Sequence, residues 1–147
     1  MTKPSIAMAA DHAGVTLKNM LADHLRHAGY PVEDLGTHDG ESVDYPDYGR
    51  ALADHVATGK AQFGVAVCGS GIGISIAANR NPAVRAALVS TAEAAELARQ
   101  HNDANILALG ARLIDPETAR ACLDRFLATA FEGGRHARRV DKLAGTP

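Results

Sequence analysis

Short apolar or mixed runs alternate along this chain with stretches of helical periodicity, and that alternation limits the fold more than any other feature. The runs are SIAMAA (5–10), PVEDLG (31–36), FGVAVC (63–68), VRAALV (84–89) and NILALG (105–110). Each has the length of a strand and is too short for an ordinary helix. PVEDLG is the most polar and belongs nearer a sheet edge. FGVAVC is nearly all apolar, as a strand covered on both faces is. The first helix carries Leu17, Leu21, Leu25 and Ala28 on one face and ends near Gly29. Pro46 opens a second, with Tyr48, Leu52 and Val56 on one side and Gly59 as its stop. A third starts in a glycine-rich loop and runs to about Asn79. Ser90 and Glu93 read as a capping box for a fourth, which ends near Gln100. Asp115 and Pro116 start a long fifth, with Ala119, Cys122, Leu123, Phe126, Leu127 and Ala130 on its buried stripe and Gly133 and Gly134 at its end.

The expected class is α/β: a Rossmann-like three-layer α/β/α sandwich with a five-stranded parallel sheet. A chain of 147 residues suits one domain, 1–147, with a real core. Right-handed crossovers put every strand's C-terminal end on one edge, where ligands bind in such folds. Asp11 and His12 follow the first strand, Cys68 to Gly73 the third, Ser90 the fourth and Arg112 the fifth.

Charge and cysteine usage narrow the partners. A formal net charge of −2 argues against a nucleic-acid partner bound through bulk charge. No apolar run approaches the ~20 residues that span a bilayer, so no membrane partner is expected. MTKPSIAMAADH lacks the apolar core of a signal peptide. Cys68 and Cys122 form no CxxC pair, which argues against a disulfide framework or zinc ribbon and for a reducing, cytoplasmic setting.

The loop VCGSGIG (67–73) carries the densest chemistry. Glycines at 69, 71 and 73 let backbone N–H groups approach a ligand, and the next helix points its N-terminus there, making an anion or oxyanion site. It is not a dinucleotide fingerprint, because it reads GxGxG and no acid ends the following strand. It lacks the lysine of a Walker loop. Six residues after the cysteine, where a cysteine phosphatase loop wants arginine, stands Ile74. Cys68 is either a thiolate favoured by the helix N-terminus, serving as base or nucleophile, or a small buried residue at a strand end. Cys122 belongs to a helix core. His24, His27 and His55 lie on amphipathic helices and His38 in a polar loop, with no HExxH or similar pattern, so no metal site is expected. His12, beside Asp11, is better placed for function. His101, in RQHNDAN, is either a solvated helix end or functional. A helix after the fourth strand runs back to the opposite edge, so His101 and Cys68 share a site only if another subunit supplies one of them. In EGGRHARRV, Arg135 and Arg139 lie four apart, on one face of any short helix. They form either a solvated basic tail or an arm, about 133–147, bringing two guanidiniums to a phosphate.

AADHAG, DYPDYG, CGSGIGISIAANR, RQHNDANILALGAR and EGGRHARRV together resemble the signature blocks of the type B ribose-5-phosphate isomerases, in the family that includes galactose-6-phosphate isomerase subunits. The resemblance runs through almost the whole chain, in order. It implies aldose–ketose isomerisation of a phosphorylated sugar without metal or organic cofactor. In the family's cysteine branch the base precedes the glycine loop, which is Cys68 here. The other branch has glutamate after the third glycine, where this chain has Ile74. The ring-opening histidine matches His101, assisted by Asp11, and Ser70 is placed to relay a proton between the reacting oxygens. Pocket residues match Asp11, His12, Tyr45, Gly69, Ser70, Gly71, Ile72, Gly73 and Asn102. Phosphate-binding residues match His12, Arg112, Arg135 and Arg139, with His136 nearby. Family members are dimers or tetramers with shared sites, so the resemblance implies a homodimer or homotetramer whose C-terminal arm packs on a partner.

The activity so implied is interconversion of D-ribose 5-phosphate and D-ribulose 5-phosphate through a cis-enediolate. Its alternatives are an isomerase of a six-carbon sugar phosphate, such as allose or galactose 6-phosphate, and a non-catalytic phosphosugar-binding domain. A cysteine hydrolase using Cys68, His101 and Asn102 would need a stable acyl-enzyme and no phosphate clamp.

Overall fold

The computed structural model describes residues 2–145. Residue 1, and residues 146 and 147 of the expected C-terminal arm, lie outside the described residues. Five strands, β1 (Ile6–Ala10), β2 (Val32–Asp34), β3 (Phe63–Cys68), β4 (Ala86–Leu88) and β5 (Ile106–Gly110), form one sheet in the order β2-β1-β3-β5-β4. Every pairing is parallel. The polar β2 is at an edge and the apolar β3 in the centre, as their composition predicts. Six helices connect or follow the strands: α1 (Val15–His27), α2 (Tyr45–Ala57), α3 (Ile72–Asn79), α4 (Ala92–Asn102), α5 (Pro116–Leu127) and α6 (Arg135–Leu143). No described helix is long and apolar enough to cross a membrane.

The strands sort their side chains by alternation. Met8, Val65, Val67, Leu107 and Leu109 face one core, closed by Leu21 and Leu25 of α1, Ala95 and Ala98 of α4, and Leu123 and Phe126 of α5. Ala7, Ala9, Ala66, Cys68 and Ala108 face the other, closed by Leu52 of α2 and Ile74 of α3. Strand alanines on that second face let α2 and α3 sit close to the sheet. Cys122 is buried in the first core, as its helical position predicts. Lys18, a polar residue within the α1 pattern, is 0% exposed. Its ammonium is met by Asp34 at the end of β2 and by Asn19, the pairing a buried cation requires.

Four local readings need correction. The α4 cap is Thr91, whose hydroxyl oxygen accepts the Ala94 N–H at 3.1 Å; Ser90 is one residue too early, and the helix continues to Asn102. β4 is only three residues long. α5 stops at Leu127, so Gly133 and Gly134 precede α6 rather than ending α5, and Ala130 is exposed. Ala28 caps α1 and is also exposed.

Candidate active site

Strand register assembles the site. The β-order reverses between β1 and β3, each of which leads outward to strands on its own side, and ligands of open α/β sheets bind at such a switch point. Ala10 is level with Val67, and Cys68 with Gly110. Asp11, Cys68 and the turn after Gly110 therefore emerge side by side. They line a cleft of about 560 Å³ together with Tyr45, Gly69, Ser70, Ile72, Gly73, Ile76, Arg112 and Leu113.

Cys68 is 4% exposed and unpaired. Its Sγ accepts the Gly71 N–H at 3.1 Å, a contact that suits a thiolate. Gly71 makes this turn possible. Its φ is +77°, and a Cβ there would come within 2.8 Å of the Leu109 carbonyl carbon, so only glycine fits without strain. Gly73 serves a different purpose: a Cβ would fall 2.5 Å from Cζ of Tyr45, so any larger residue would push aside the ring that lies across it. The Ser70 Oγ accepts the Ile72 N–H at 3.1 Å, leaving its hydroxyl proton free to donate. The N–H groups of Gly71 and Ile72 are thus committed. Among the described residues those of Gly69, Ser70 and Gly73 have no acceptor, and these remain for a developing oxyanion.

The rest of this edge is equally ordered. Asp11 Oδ1 accepts the N–H groups of Ala13 (3.0 Å) and Gly14 (3.3 Å), capping a single 3-10 turn over His12–Gly14. His12 Nδ1 accepts the Val43 N–H at 3.1 Å, which tethers the segment leading into α2. The Arg112 N–H donates to the Gly69 carbonyl at 2.9 Å. Arg112 is exposed, and its guanidinium pairs with no acid among the described residues.

The remaining predicted residues form a second group at the opposite edge. α4 runs back against the strand direction and delivers His101 and Asn102 beside the start of β5. Asn102 lines a separate hollow with Arg85 and Asn79. There α6 packs on α4: the His101 and His136 rings stack with centroids 4.3 Å apart and planes 14° from parallel. Arg135 and Arg139 are exposed, four apart on α6, and make no ion pair among the described residues. Burial pushes the His136 imidazole below the ordinary histidine value. The charges of His101, Arg135 and Arg139 act in the same direction and Glu132 opposes them. His101, Glu132 and His136 hold potential ligand atoms within 4.8 Å of one another. However, rings this close to parallel keep their in-plane lone pairs from converging on one ion, so the cluster suits proton handling better than metal binding.

Four residues here escape the sequence reading. Ile76 and Leu113 join Ile72 on the cleft wall, 51%, 69% and 51% exposed. The signal for Ile76 was present in α3, where isoleucines 72 and 76 stand off the buried face marked by Ile74; Leu113, in the turn after β5, had none. Glu132 and Arg99 had no local signal, because their partners come from other elements.

The sequence profile of the family described as Ribose/Galactose Isomerase matches residues 6–143. Ribose-5-phosphate isomerase B of Escherichia coli (strain K12) is 44% identical over 138 residues, 94% of this chain and 93% of that protein. The ribose 5-phosphate isomerase structure from Thermotoga maritima is 48% identical with a TM-score of 0.95, covering 97% of this chain and 99% of that one. A Mycoplasma genitalium ribose-5-phosphate isomerase B structure, with bound ribulose-5-phosphate, is 40% identical with a TM-score of 0.92, covering 96% and 94%.

Proposed function

The chain belongs to the ribose/galactose isomerase family, and from that premise we propose that it interconverts D-ribose 5-phosphate and D-ribulose 5-phosphate with Cys68 as the base. One observation carries the reading: the Cys68 sulfur lies at the floor of the switch-point cleft and accepts the Gly71 N–H. Loop N–H groups and the Arg112 guanidinium, without acceptors among the described residues, line the same cleft.

In the open-chain aldose, the thiolate takes the C2 proton and the C2–H electrons form the C1–C2 double bond of a cis-enediolate. The N–H groups of Gly69, Ser70 and Gly73 meet the negative oxygen, each such donor being worth about 3 kcal/mol at the transition state. The Ser70 hydroxyl moves a proton from O2 to O1. The Cys68 thiol then returns its proton to C1, giving the ketose and the starting thiolate. His101 opens the furanose ring before this sequence, with Asp11 assisting. Arg112, Arg135 and Arg139, together with His12 and His136, hold the phosphate, and Tyr45, Ile72 and Asn102 shape the sugar pocket. Fixing the remote phosphate orients C1 and C2 against the sulfur.

His101 and the α6 arginines lie across the sheet from Cys68 in one copy, so this chemistry needs a second copy. The protein works as a homodimer or a homotetramer built from such dimers. The arm from about residue 133 reaches the partner's cleft, and the exposed apolar wall of Ile72, Ile76 and Leu113 is covered in that assembly. The test is kcat/KM on ribose 5-phosphate against allose 6-phosphate and galactose 6-phosphate, with EDTA present. A higher value on the five-carbon substrate is expected. Preference for a six-carbon phosphate would move the substrate assignment, and binding without turnover would replace the enzyme with a phosphosugar-binding domain.

A further inference from the structure

Glu132 stands at the edge of the two stacked imidazoles. Its Oε1 lies 3.7 Å from His101 Nε2 and 3.5 Å from His136 Nε2. The backbone fixes it there, since the Glu132 N–H donates to the Gln100 carbonyl at 3.1 Å, one residue before His101. Arg99 secures the approach: its Nε donates to the Thr129 carbonyl at 3.2 Å. The loop between α5 and α6 is therefore tied to the last turn of α4 at two points, and the carboxylate faces the histidine pair.

Building on the isomerase reading above, we propose that Glu132 is a positioning residue for His101, holding the ring proton on Nε2 so that Nδ1 meets the sugar. At 3.7 Å the contact is an ion-pair approach and not a hydrogen bond, but the negative carboxylate beside Nε2 favours the tautomer that carries its N–H on that nitrogen. The buried His136 ring covers one face of His101 and limits its rotation. Arg135 and Arg139 on α6 are the cations whose charge acts on His136; on α4, Arg99 is engaged by Asp103. Glu132 is the acid that meets both rings among the described residues. In ring opening, Nδ1 takes the proton of the anomeric hydroxyl, the C1–O4 bond breaks as the C1 carbonyl forms, and the proton passes from Nδ1 to O4.

The experiment compares wild type, Glu132→Gln and Glu132→Asp as full chains. Ring-nitrogen NMR on ¹⁵N-labelled protein reads the His101 tautomer, with His101→Asn used only to assign its signals. Kinetics read kcat/KM on ribose 5-phosphate. Glu132→Gln should lower kcat/KM roughly 10- to 100-fold, the range known for partners that orient metal-ligating histidines, and should reduce the Nε2–H share of His101. Glu132→Asp should recover part of both. Activity in Glu132→Gln within about twofold of wild type overturns the proposal. So does a loss of activity with an unchanged tautomer, which would make Glu132 merely structural. Absence of turnover in wild type would overturn the isomerase reading instead, and the NMR comparison would still decide whether Glu132 sets the tautomer.

Discussion

Arg99 sits in a demanding environment outside the cleft. Its side chain is buried, with Nη1 donating to Asp103 Oδ1 (2.8 Å) and to the Ala104 carbonyl (2.7 Å). The guanidinium lies 4.9 Å from the Phe63 ring centre and 5.7 Å from that of Phe126. Its Nε bond to Thr129 points a third way. Replacing it with alanine strands two backbone carbonyls and leaves Asp103 to Arg85 alone, and should cost about 3 kcal/mol in chemical denaturation. Lysine should restore little, because one ammonium cannot reach in three fixed directions. His136 supplies the pH prediction. Its folded value lies below the ordinary 6.5, so between the two values the unfolded chain binds more protons, and stability rises with pH. Stability should therefore fall as pH drops through about 6.5, and His136→Gln should flatten that part of the Tm-against-pH curve. An unchanged curve would contradict the depressed value.

At the scale of elements, α4 offers a clean comparison. Thr91→Ala removes the oxygen that accepts the Ala94 N–H and should cost about 1 kcal/mol. Ser90→Ala should be near neutral. The reverse order in melting experiments would restore Ser90 as the cap. The error is instructive, because two hydroxyl residues stand side by side and Glu93 completes a capping-box spacing with the wrong one. Strand assignments were legible because FGVAVC and NILALG have no polar face to expose, and the polarity of PVEDLG marked it as nearer an edge; the strand order itself was not read. The end of α5 was not legible. Its apolar stripe continues on paper to Ala130, but the Thr129 carbonyl is taken by Arg99, thirty residues away, and the chain leaves the helix after Leu127. The same reasoning separates the two halves of the candidate site. Asp11, Cys68 and the glycine loop could be placed because they follow strands at a predictable edge. Glu132 could not, because its meaning comes from contacts with α4 and α6.

For the whole molecule, the decisive feature is the separation of Cys68 from His101 across one sheet. A site shared between copies makes a quantitative prediction. Cys68→Ala and His101→Asn proteins, each impaired alone, should recover activity when unfolded and refolded together. Random pairing makes half the dimers mixed, each with one complete site of two, so about one quarter of wild-type activity should return. No recovery would place both residues in separate roles. In the proposed assembly α3 is covered by the partner: Ile76→Asp puts a charge on its exposed apolar face and should shift the mass in sedimentation toward one chain, with turnover lost in parallel. A full-sized assembly with normal turnover would remove this face from the interface.

The most direct test of the central claim is the turnover of D-ribose 5-phosphate by wild type and Cys68→Ala in the presence of EDTA, with circular dichroism to verify the fold. The account predicts ribulose 5-phosphate formation by wild type and a loss of roughly 10²- to 10⁴-fold in kcat for the folded variant, the range attributed to a positioned general base. A folded Cys68→Ala protein that turns over like wild type would contradict it, and would leave Cys68 as a small residue packed at the end of a strand.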